Sequence, residues 1–338
     1  MMIAALTALV MAVQVQAETG PRGDVSSMAF SPDGRTLALD VHNRDASRRD
    51  LTLVSVDTGK VLATWEGVGG PATFSRDGRI LSAARVKDVE GVRLYEVNSW
   101  DLETRNHRGT FELEAGVQGN FNVEFSRDGR TLAAQFGEHR PAIVWDLAER
   151  RELRRFDRLP HYEECVRLTP DGRRLLTSNR RLDSGKAGVG EVWTATLWDV
   201  ATGEKVRAFR GVGDLAFSPD GRTLAWGSGS ESRSVLVLWD PSTGKEVRRF
   251  TAGLSAVAFS QDGKTLASSG GGRVIGLYDP ADGRERGRLT GKEGDVFRAD
   301  TRYNAGSLAW SPDGKVVAAI TARGELRLWV AATGESIR

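Results

Sequence analysis

The sequence predicts an all-β protein assembled from seven copies of one four-stranded unit. Three observations carry this prediction. The stretch AFSPDGRTLA occurs unchanged at residues 29–38 and 216–225, and relaxed versions of it occur five more times. The glycine of this stretch recurs at intervals of 42 to 51 residues. A period of that length indicates stacked supersecondary units rather than one irregular domain.

The first half of each unit reads as a hairpin. The relaxed copies are FSRDGRILS at 74, FSRDGRTLA at 125, LTPDGRRLL at 168, FSQDGKTLA at 259 and WSPDGKVVA at 310. Apolar residues at i and i+2 before the turn, as in Leu215 and Phe217, are typical of a strand with one buried face. Ser-Pro-Asp-Gly suits a type I turn whose glycine takes a positive φ, as in a three-residue hairpin loop. A second strand is expected about three residues after each glycine, at Leu37, Leu81, Leu132, Leu175, Leu224, Leu266 and Val317.

The second half of each unit predicts another hairpin. It reads VWDLAERRELRRF at 144, LWDVATGEKVRAF at 197, LWDPSTGKEVRRF at 238 and LYDPADGRERGRL at 277. The aromatic residue or its replacement stands at Val54, Trp100, Trp145, Trp198, Trp239, Tyr278 and Trp329. Eleven residues after the first six of these comes a second large apolar residue, at Trp65, Phe111, Phe156, Phe209, Phe250 and Leu289. Two hairpins per period give four strands.

The second hairpin resembles the WD-repeat family, whose Trp-Asp dipeptide stands at Trp100-Asp101, Trp145-Asp146, Trp198-Asp199 and Trp239-Asp240. The resemblance covers nearly everything from residue 25 onward, and it implies four-stranded blades. Family members often place Gly-His before the innermost strand, where the histidine joins a hydrogen-bond network to the tryptophan. The equivalent segments here read GVGG, GVQGN, GVGD and TAGLS. Apolar packing and the turns are therefore expected to hold the blades, as in divergent bacterial members of the family.

A four-stranded blade cannot bury both of its faces alone, and closing seven blades into a ring removes the exposed end faces of an open stack. We therefore expect a single WD40-like domain over residues 18–338, an all-β seven-bladed β-propeller of four-stranded antiparallel blades. The last blade lacks its second large apolar residue, because the eleven-residue spacing places it at 340 and the sequence ends at Arg338. Three explanations are open. The junction of the last and first blades, the seam, can tolerate an incomplete outer strand, residues near 13–24 can pair there, or the chain can be a fragment of a longer protein.

The composition disfavours a nucleic-acid partner. Lys plus Arg number 47 and Asp plus Glu 45, so the net charge of +2 creates no large field to attract DNA or an anionic membrane. The single cysteine, Cys165, cannot form an internal disulfide and indicates no compartment.

The amino terminus predicts a signal peptide over residues 1–17. An apolar run, MMIAALTALVMAV, is followed by small residues where a signal peptidase could cut, and it is too short to span a bilayer. Export to the periplasm or the extracellular space follows, with no stable membrane insertion after cleavage. The alternatives are a start site placed inside the membrane helix of a longer protein, or a strand, and the protein is cytoplasmic if this segment is not a signal.

No motif predicts catalysis, a cofactor or a metal. Gly263-Lys264-Thr265 is the repeat's own hairpin turn, and G-x-S-x-G, H-E-x-x-H and EF-hand patterns do not occur. His42, His139 and His161 are expected in loops and His107 near an outer strand, with no two at a ligand-like spacing.

The longer loops indicate where a partner binds. In the family's topology the connections between second and third strands, and between blades, share one rim. The chain places its extra residues there, around 42, 87, 179 and 292. Loops on a rigid scaffold commonly carry recognition, and aromatic and arginine residues dominate interface energies. The candidate partner-binding residues are Tyr162, Arg180, Arg181, Trp193, Phe297, Arg298 and Tyr303. The alternative is that these loops are merely variable insertions.

These observations favour a non-catalytic protein–protein interaction scaffold that binds a protein or peptide on the rim with the longer loops. Two other hypotheses stay open. One is a secreted propeller enzyme of the lactonase, quinone-dependent dehydrogenase or hydrolase type, for which the sequence assembles no catalytic set. The other is the sensory or docking portion of a longer bacterial signalling protein, as the resemblance to WD-like arrays that follow kinase domains implies.

Overall fold

The computed structural model describes residues 23–115, 121–136, 141–157, 163–181, 192–228, 235–253, 255–270, 272–297 and 307–337. Within these residues every regular element is a β-strand, and the strands form seven antiparallel blades of four strands each. The protein is a seven-bladed β-propeller, as the period predicts.

The strands follow one another from the axis of the ring outward in each blade. Blade 1 contains β1 (Gly23–Phe30), β2 (Thr36–Asn43), β3 (Arg48–Ser55) and β4 (Val61–Trp65). Blade 2 contains β5 (Ala72–Phe74), β6 (Ile80–Val89), β7 (Val92–Asp101) and β8 (His107–Ala115). Blade 3 contains β9 (Phe121–Phe125), β10 (Thr131–Phe136), β11 (Ala142–Asp146) and β12 (Arg151–Phe156).

The remaining blades repeat this order. Blade 4 contains β13 (Glu163–Leu168), β14 (Arg174–Arg181), β15 (Val192–Asp199) and the first part of β16 (Lys205–Phe217). Blade 5 contains the rest of β16, then β17 (Leu224–Ser228), β18 (Val235–Asp240) and β19 (Lys245–Thr251). Blade 6 contains β20 (Ala256–Phe259), β21 (Leu266–Ser269), β22 (Val274–Tyr278) and β23 (Glu285–Thr290). Blade 7 contains β24 (Leu308–Trp310), β25 (Val316–Ile320), β26 (Leu326–Val330) and β27 (Ser336–Ile337).

The β16 strand links blades 4 and 5 without a loop. Its first half pairs with β15 as far as Gly211, and its second half pairs with β17 from Val212 onward. The outermost strand of one blade therefore runs directly into the innermost strand of the next.

The core of the described residues divides into seven apolar clusters, one at each interface between adjacent blades. The cluster between blades 7 and 1 joins Leu37, Leu39 and Val54 to Leu326 and Leu328. The Val25 N–H also donates to the Gly324 carbonyl, 2.8 Å away, across the same interface. The ring is therefore closed, and its last interface, like the others, contains an apolar cluster.

The seven Ser-x-Asp-Gly turns share one hydrogen-bond pattern. The Ser or Thr hydroxyl donates to the Asp Oδ1 at 2.6–2.7 Å, and this oxygen also accepts the backbone N–H that follows the glycine, at 3.0–3.1 Å. The glycines have φ between 67° and 72°, a region in which other residues are strained. The predicted turn is therefore confirmed in every blade.

The paired apolar positions eleven residues apart connect neighbouring blades rather than one blade with itself. Trp65 of blade 1 contacts Trp100 of blade 2, with ring centroids 5.3 Å apart. Phe156, Phe209 and Phe250 likewise contact Trp198, Trp239 and Tyr278 of the next blade. The spacing that marks the repeat in the sequence thus supplies the packing between blades.

The seam uses smaller residues to the same end. Ile337 of the two-residue strand β27 is buried in the cluster that contains Val54, the one position where the repeat's aromatic is replaced by valine. Ile337 lies eight residues after Trp329 instead of eleven. Of the residues near 13–24 considered for pairing at the seam, the structure describes only Gly23 and Asp24, and these pair with β2 in blade 1.

The predicted signal peptide, residues 1–17, lies outside the described residues. Within the described part of the chain, no helix has the length and hydropathy required to cross a bilayer.

Candidate functional site

The two edges of the ring differ in their connections. The turn rim carries the short turns between first and second strands and between third and fourth strands. The loop rim carries the connections between second and third strands and between blades, where the sequence predicts the partner site.

The loop rim holds Arg180, Arg181 and Trp193 at adjacent positions of blade 4. In the backbone register Arg180 pairs with Trp193, and Arg181 pairs with Val192, at the ends of β14 and β15. The members of the two pairs are 13 and 11 positions apart in sequence, and strand pairing brings them together at the loop-rim ends of β14 and β15. Tyr162, Arg298 and Tyr303 lie outside the described residues.

Phe297 is part of the core and not of the accessible rim. Its side chain is 2% exposed and packs edge-on against Trp329, with ring centroids 5.4 Å apart. Its N–H donates to the Gly272 carbonyl, and its carbonyl accepts from the Ser269 hydroxyl. The expectation that this aromatic contacts a partner is therefore corrected for the described conformation, because Phe297 fills the space between blades 6 and 7.

A projecting hairpin of blade 2 belongs to the loop rim and was missed among the candidate residues. Its tip is Glu90 and Gly91, which both have positive φ, 51° and 80°, as in a type I′ turn. Pairing of β6 with blade 2's innermost strand ends near Ala84, so among the described residues the segment 85–89 pairs with β7 alone. The hairpin exposes Val86, Val89 and Val92, which are 41%, 37% and 45% exposed.

Ion pairs fix the base of this hairpin and of the neighbouring one. Arg85 pairs with Glu96 across β6 and β7 at 2.5 Å and donates to the Gly67 carbonyl at 2.7 Å. In blade 1 Arg49 pairs with the buried Asp40. These bonds hold the loop-rim ends of blades 1 and 2 in place, and His42 lies in β2 there rather than in the predicted loop.

A second charged group lies on the innermost strands, around the axis of the ring. Glu124 of β9, Arg167 of β13 and Asp214 of β16 form a chain across blades 3, 4 and 5, with N–O distances of 3.7 Å and 3.4 Å. Asp214 also accepts the Val257 N–H of blade 6 at 3.2 Å. Sequence reasoning did not find this chain, because its members are 43 and 47 residues apart and only the ring brings them into contact.

Burial changes how these carboxyl groups ionise. It raises the pKa of Glu124 to about 7, with Arg167 opposing the rise and Asp214 adding to it. Burial also raises the pKa of Asp214, against the lowering influence of Arg167 and of the Val257 N–H. These contacts link blades 3, 4, 5 and 6, and the Glu124 carboxyl group changes its charge near neutral pH.

The described residues contain no group of three or more His, Cys, Asp or Glu side chains placed to hold a metal ion. His107 Nε2 instead donates a hydrogen bond to Asn98 Oδ1, 3.1 Å away, and the ring lies against Trp100. His139 and His161 fall outside the described part of the chain.

The closed ring of four-stranded blades, with a rim of longer connections, defines the class of a β-propeller that presents loops on a rigid scaffold. The family model of the WD domain, G-beta repeat, matches residues 203–240 and 244–279. Each match runs from the outermost strand of one blade through the three inner strands of the next, from blade 4 into blade 5 and from blade 5 into blade 6. The chain carries WD40 repeats, as the Trp-Asp dipeptides indicate.

A curated relative agrees with this result. WD repeat-containing protein SL1-17 of Schistosoma mansoni is 27% identical over 190 residues, 55% of this chain and 59% of that protein. The chain thus matches a little over half the length of this relative. WD40 propellers are generally non-enzymatic and commonly act as protein-interaction scaffolds.

Proposed function

We propose that this protein is a non-catalytic scaffold that binds a protein partner on its loop rim. The observation that carries the proposal is the projecting β6–β7 hairpin, which combines three exposed valines with a strand edge that no described residue pairs with. An exposed edge can receive an extended segment of another chain, and apolar side chains beside it add buried area. Arg180, Arg181 and Trp193 would extend the same rim at blade 4.

The scaffold is proposed to act after export, in the periplasm or the extracellular space. The support is the apolar segment of residues 1–17 with small residues at its end. Mass spectrometry of the protein recovered from its native cell tests this part separately. A mature protein that begins near residue 18 is expected, and recovery with residues 1–17 intact would contradict export by this signal.

Partner capture from the native cell tests the rim. One variant changes Val86, Val89 and Val92 to Thr, which keeps the preference for strands and removes the apolar surface. A second replaces Arg180, Arg181 and Trp193 together by Ala. The matched control changes Val61 and Val247 to Thr, because these valines are 58% and 57% exposed on outermost strands away from the rim.

Both rim variants are expected to lose the captured partner at an unchanged Tm, whereas the control keeps it. If all three variants captured the same proteins as the wild type, the loop rim would not be the binding surface.

A further inference from the structure

An open groove lies between blades 1 and 2 on the turn rim, the edge opposite to the proposed rim. Its volume is about 520 Å³, and apolar side chains line its floor: Leu53, Leu62, Trp65, Phe74 and Leu102. Leu62, on the outermost strand β4, is 43% exposed. The groove therefore offers a concave apolar surface on a part of the ring built of tight turns.

No arginine of the outermost strand crosses the groove between blades 1 and 2. In the backbone register Ala63 faces Leu53, as Arg154 faces Val144 and Arg207 faces Leu197 in blades 3 and 4. These arginines reach across to the next blade, where Arg154 donates to the carbonyls of Val200 and Ala201, and Arg207 to that of Ser242.

Alanine at this position leaves the equivalent space between blades 1 and 2 open. Between blades 5 and 6, Arg248 stands at the position of Ala63. A smaller groove of about 430 Å³ between those blades includes turn residues but none from the outermost strand β19.

Charges divide the groove along its length. Asp33 and Asp77 belong to the turns between first and second strands, which lie toward the axis, and Arg105 belongs to the outer turn of blade 2. The Ser31 and Ser75 hydroxyls, assisted by backbone N–H groups, lower the pKa of Asp33 and Asp77, so both are ionised at neutral pH. The inner end is therefore acidic, the middle is apolar and the outer end is basic.

We propose that this groove binds an extended peptide segment of a protein partner, with a bulky apolar residue in the middle and opposite charges on its two sides. A Lys or Arg of the peptide faces Asp33 and Asp77, and an Asp or Glu faces Arg105. The bulky residue lies against Trp65 and Phe74. The site is independent of the loop rim, so a scaffold with both surfaces can hold two partners on opposite edges of the ring.

The test pans a phage-displayed library of random short peptides against the full chain and counter-selects on the Ala63→Arg variant. The added arginine is expected to close the groove as Arg154 and Arg207 do, by donating to the carbonyls of Leu102 and Glu103. Enriched peptides should carry the basic, apolar and acidic residues in that order or its reverse. Fluorescence anisotropy of a synthetic copy should show binding to Ala63→Arg weakened about tenfold or more at an unchanged Tm.

The double variant Asp33→Asn, Asp77→Asn tests the acidic end separately. Asparagine keeps an acceptor oxygen for the turn, so the fold is retained while the charges are removed. We expect binding about threefold to fivefold weaker at low salt and little difference at high salt, because exposed ion pairs are weak and screened. Asp171→Asn, the same change in the turn of blade 4, is the control and should bind as the wild type does.

Three results would overturn the proposal. One is that counter-selection leaves no enriched peptide, and another is that Ala63→Arg binds the peptides as tightly as the wild type. The third is self-association of the wild type that Ala63→Arg abolishes, which would identify a second copy of this chain as the occupant.

Discussion

Glu124 and Arg167 are the charged exceptions in a ring of small side chains. Each innermost strand ends in a large apolar residue. The residue just before it is small in the other five blades: Ala29, Thr73, Ala216, Ala258 and Ala309. The exceptions stand in adjacent blades, so the guanidinium lies within reach of both Glu124 and Asp214. Within the described part of the ring, Arg167 is the cation paired with both Glu124 and Asp214, so one positive charge faces two carboxyl groups.

This imbalance predicts a stability that depends on pH. Glu124 has a folded pKa of about 7, above its ordinary value of 4.5, so between these pH values the folded protein binds more protons than the unfolded chain. The stability that Glu124 contributes is therefore present below pH 4.5 and is lost as the pH rises through 7. Glu124→Gln removes the charge and should be more stable than the wild type at pH 8, by about 1–2 kcal/mol after allowance for partial exposure, and equal to it near pH 4.

Urea unfolding at the two pH values measures this difference. Glu285→Gln is the control with the opposite sign, because the hydrogen bond from Arg288 lowers the pKa of Glu285 and its removal brings no gain. A Glu124→Gln variant without a gain at pH 8 would show that Arg167 neutralises this carboxylate in full.

At the scale of elements, the inner hairpin depends on one carboxylate oxygen. In blade 5 Asp220 Oδ1 accepts from the Ser218 hydroxyl at 2.6 Å and from the Arg222 N–H at 3.0 Å. Asp220→Ala leaves both donors without this partner and is expected to cost about 1–2 kcal/mol in urea unfolding. Asp220→Asn keeps an acceptor and should lose less than half as much. Equal losses in the two variants would mean that the charge, and not the acceptor, holds the turn.

The sequence alone predicts those features of a blade that are local. The turn glycines, the apolar positions of the third strands and the residues eleven positions later all follow from hydrogen bonds or spacing within one period. The turn glycines and the third-strand positions agree with the period in each of the seven blades, and the residues eleven positions later agree in the first six.

Features that depend on two blades were not predictable in this way. Ala63 reads as one more residue of an outer strand until its register is compared with that of Arg154. Phe297 reads as a loop aromatic, yet it fills the interface with blade 7 because β23 supplies only Leu289 there. The Glu124–Arg167–Asp214 chain likewise needs the ring to bring its members together. The projecting hairpin of blade 2 was predictable only in part. Its extra length is visible in the sequence, whereas the exposure of its strand edge is seen only in the structure.

At the scale of the whole molecule, every interface of the ring joins two blades through an apolar cluster. The seam between blades 7 and 1 buries aliphatic side chains where other interfaces bury aromatic pairs, and its outermost strand has two residues. In a closed ring a weak interface cannot open without leaving two apolar faces exposed to water. The seam should therefore contribute to the stability of all blades and not only of its two neighbours.

A pair of leucine substitutions tests this closure. Leu328 at the seam is 1% exposed, and Leu236 between blades 5 and 6 is 0% exposed. Leu328→Ala and Leu236→Ala should each cost about 2–5 kcal/mol and leave a single unfolding transition. Hydrogen exchange should accelerate equally at β15, on the far side of the ring from the seam, in both variants. If Leu328→Ala instead cost under about 1 kcal/mol and accelerated exchange only in blades 1 and 7, the seam would be open in solution, and the ring would behave as a linear array whose end blades fray.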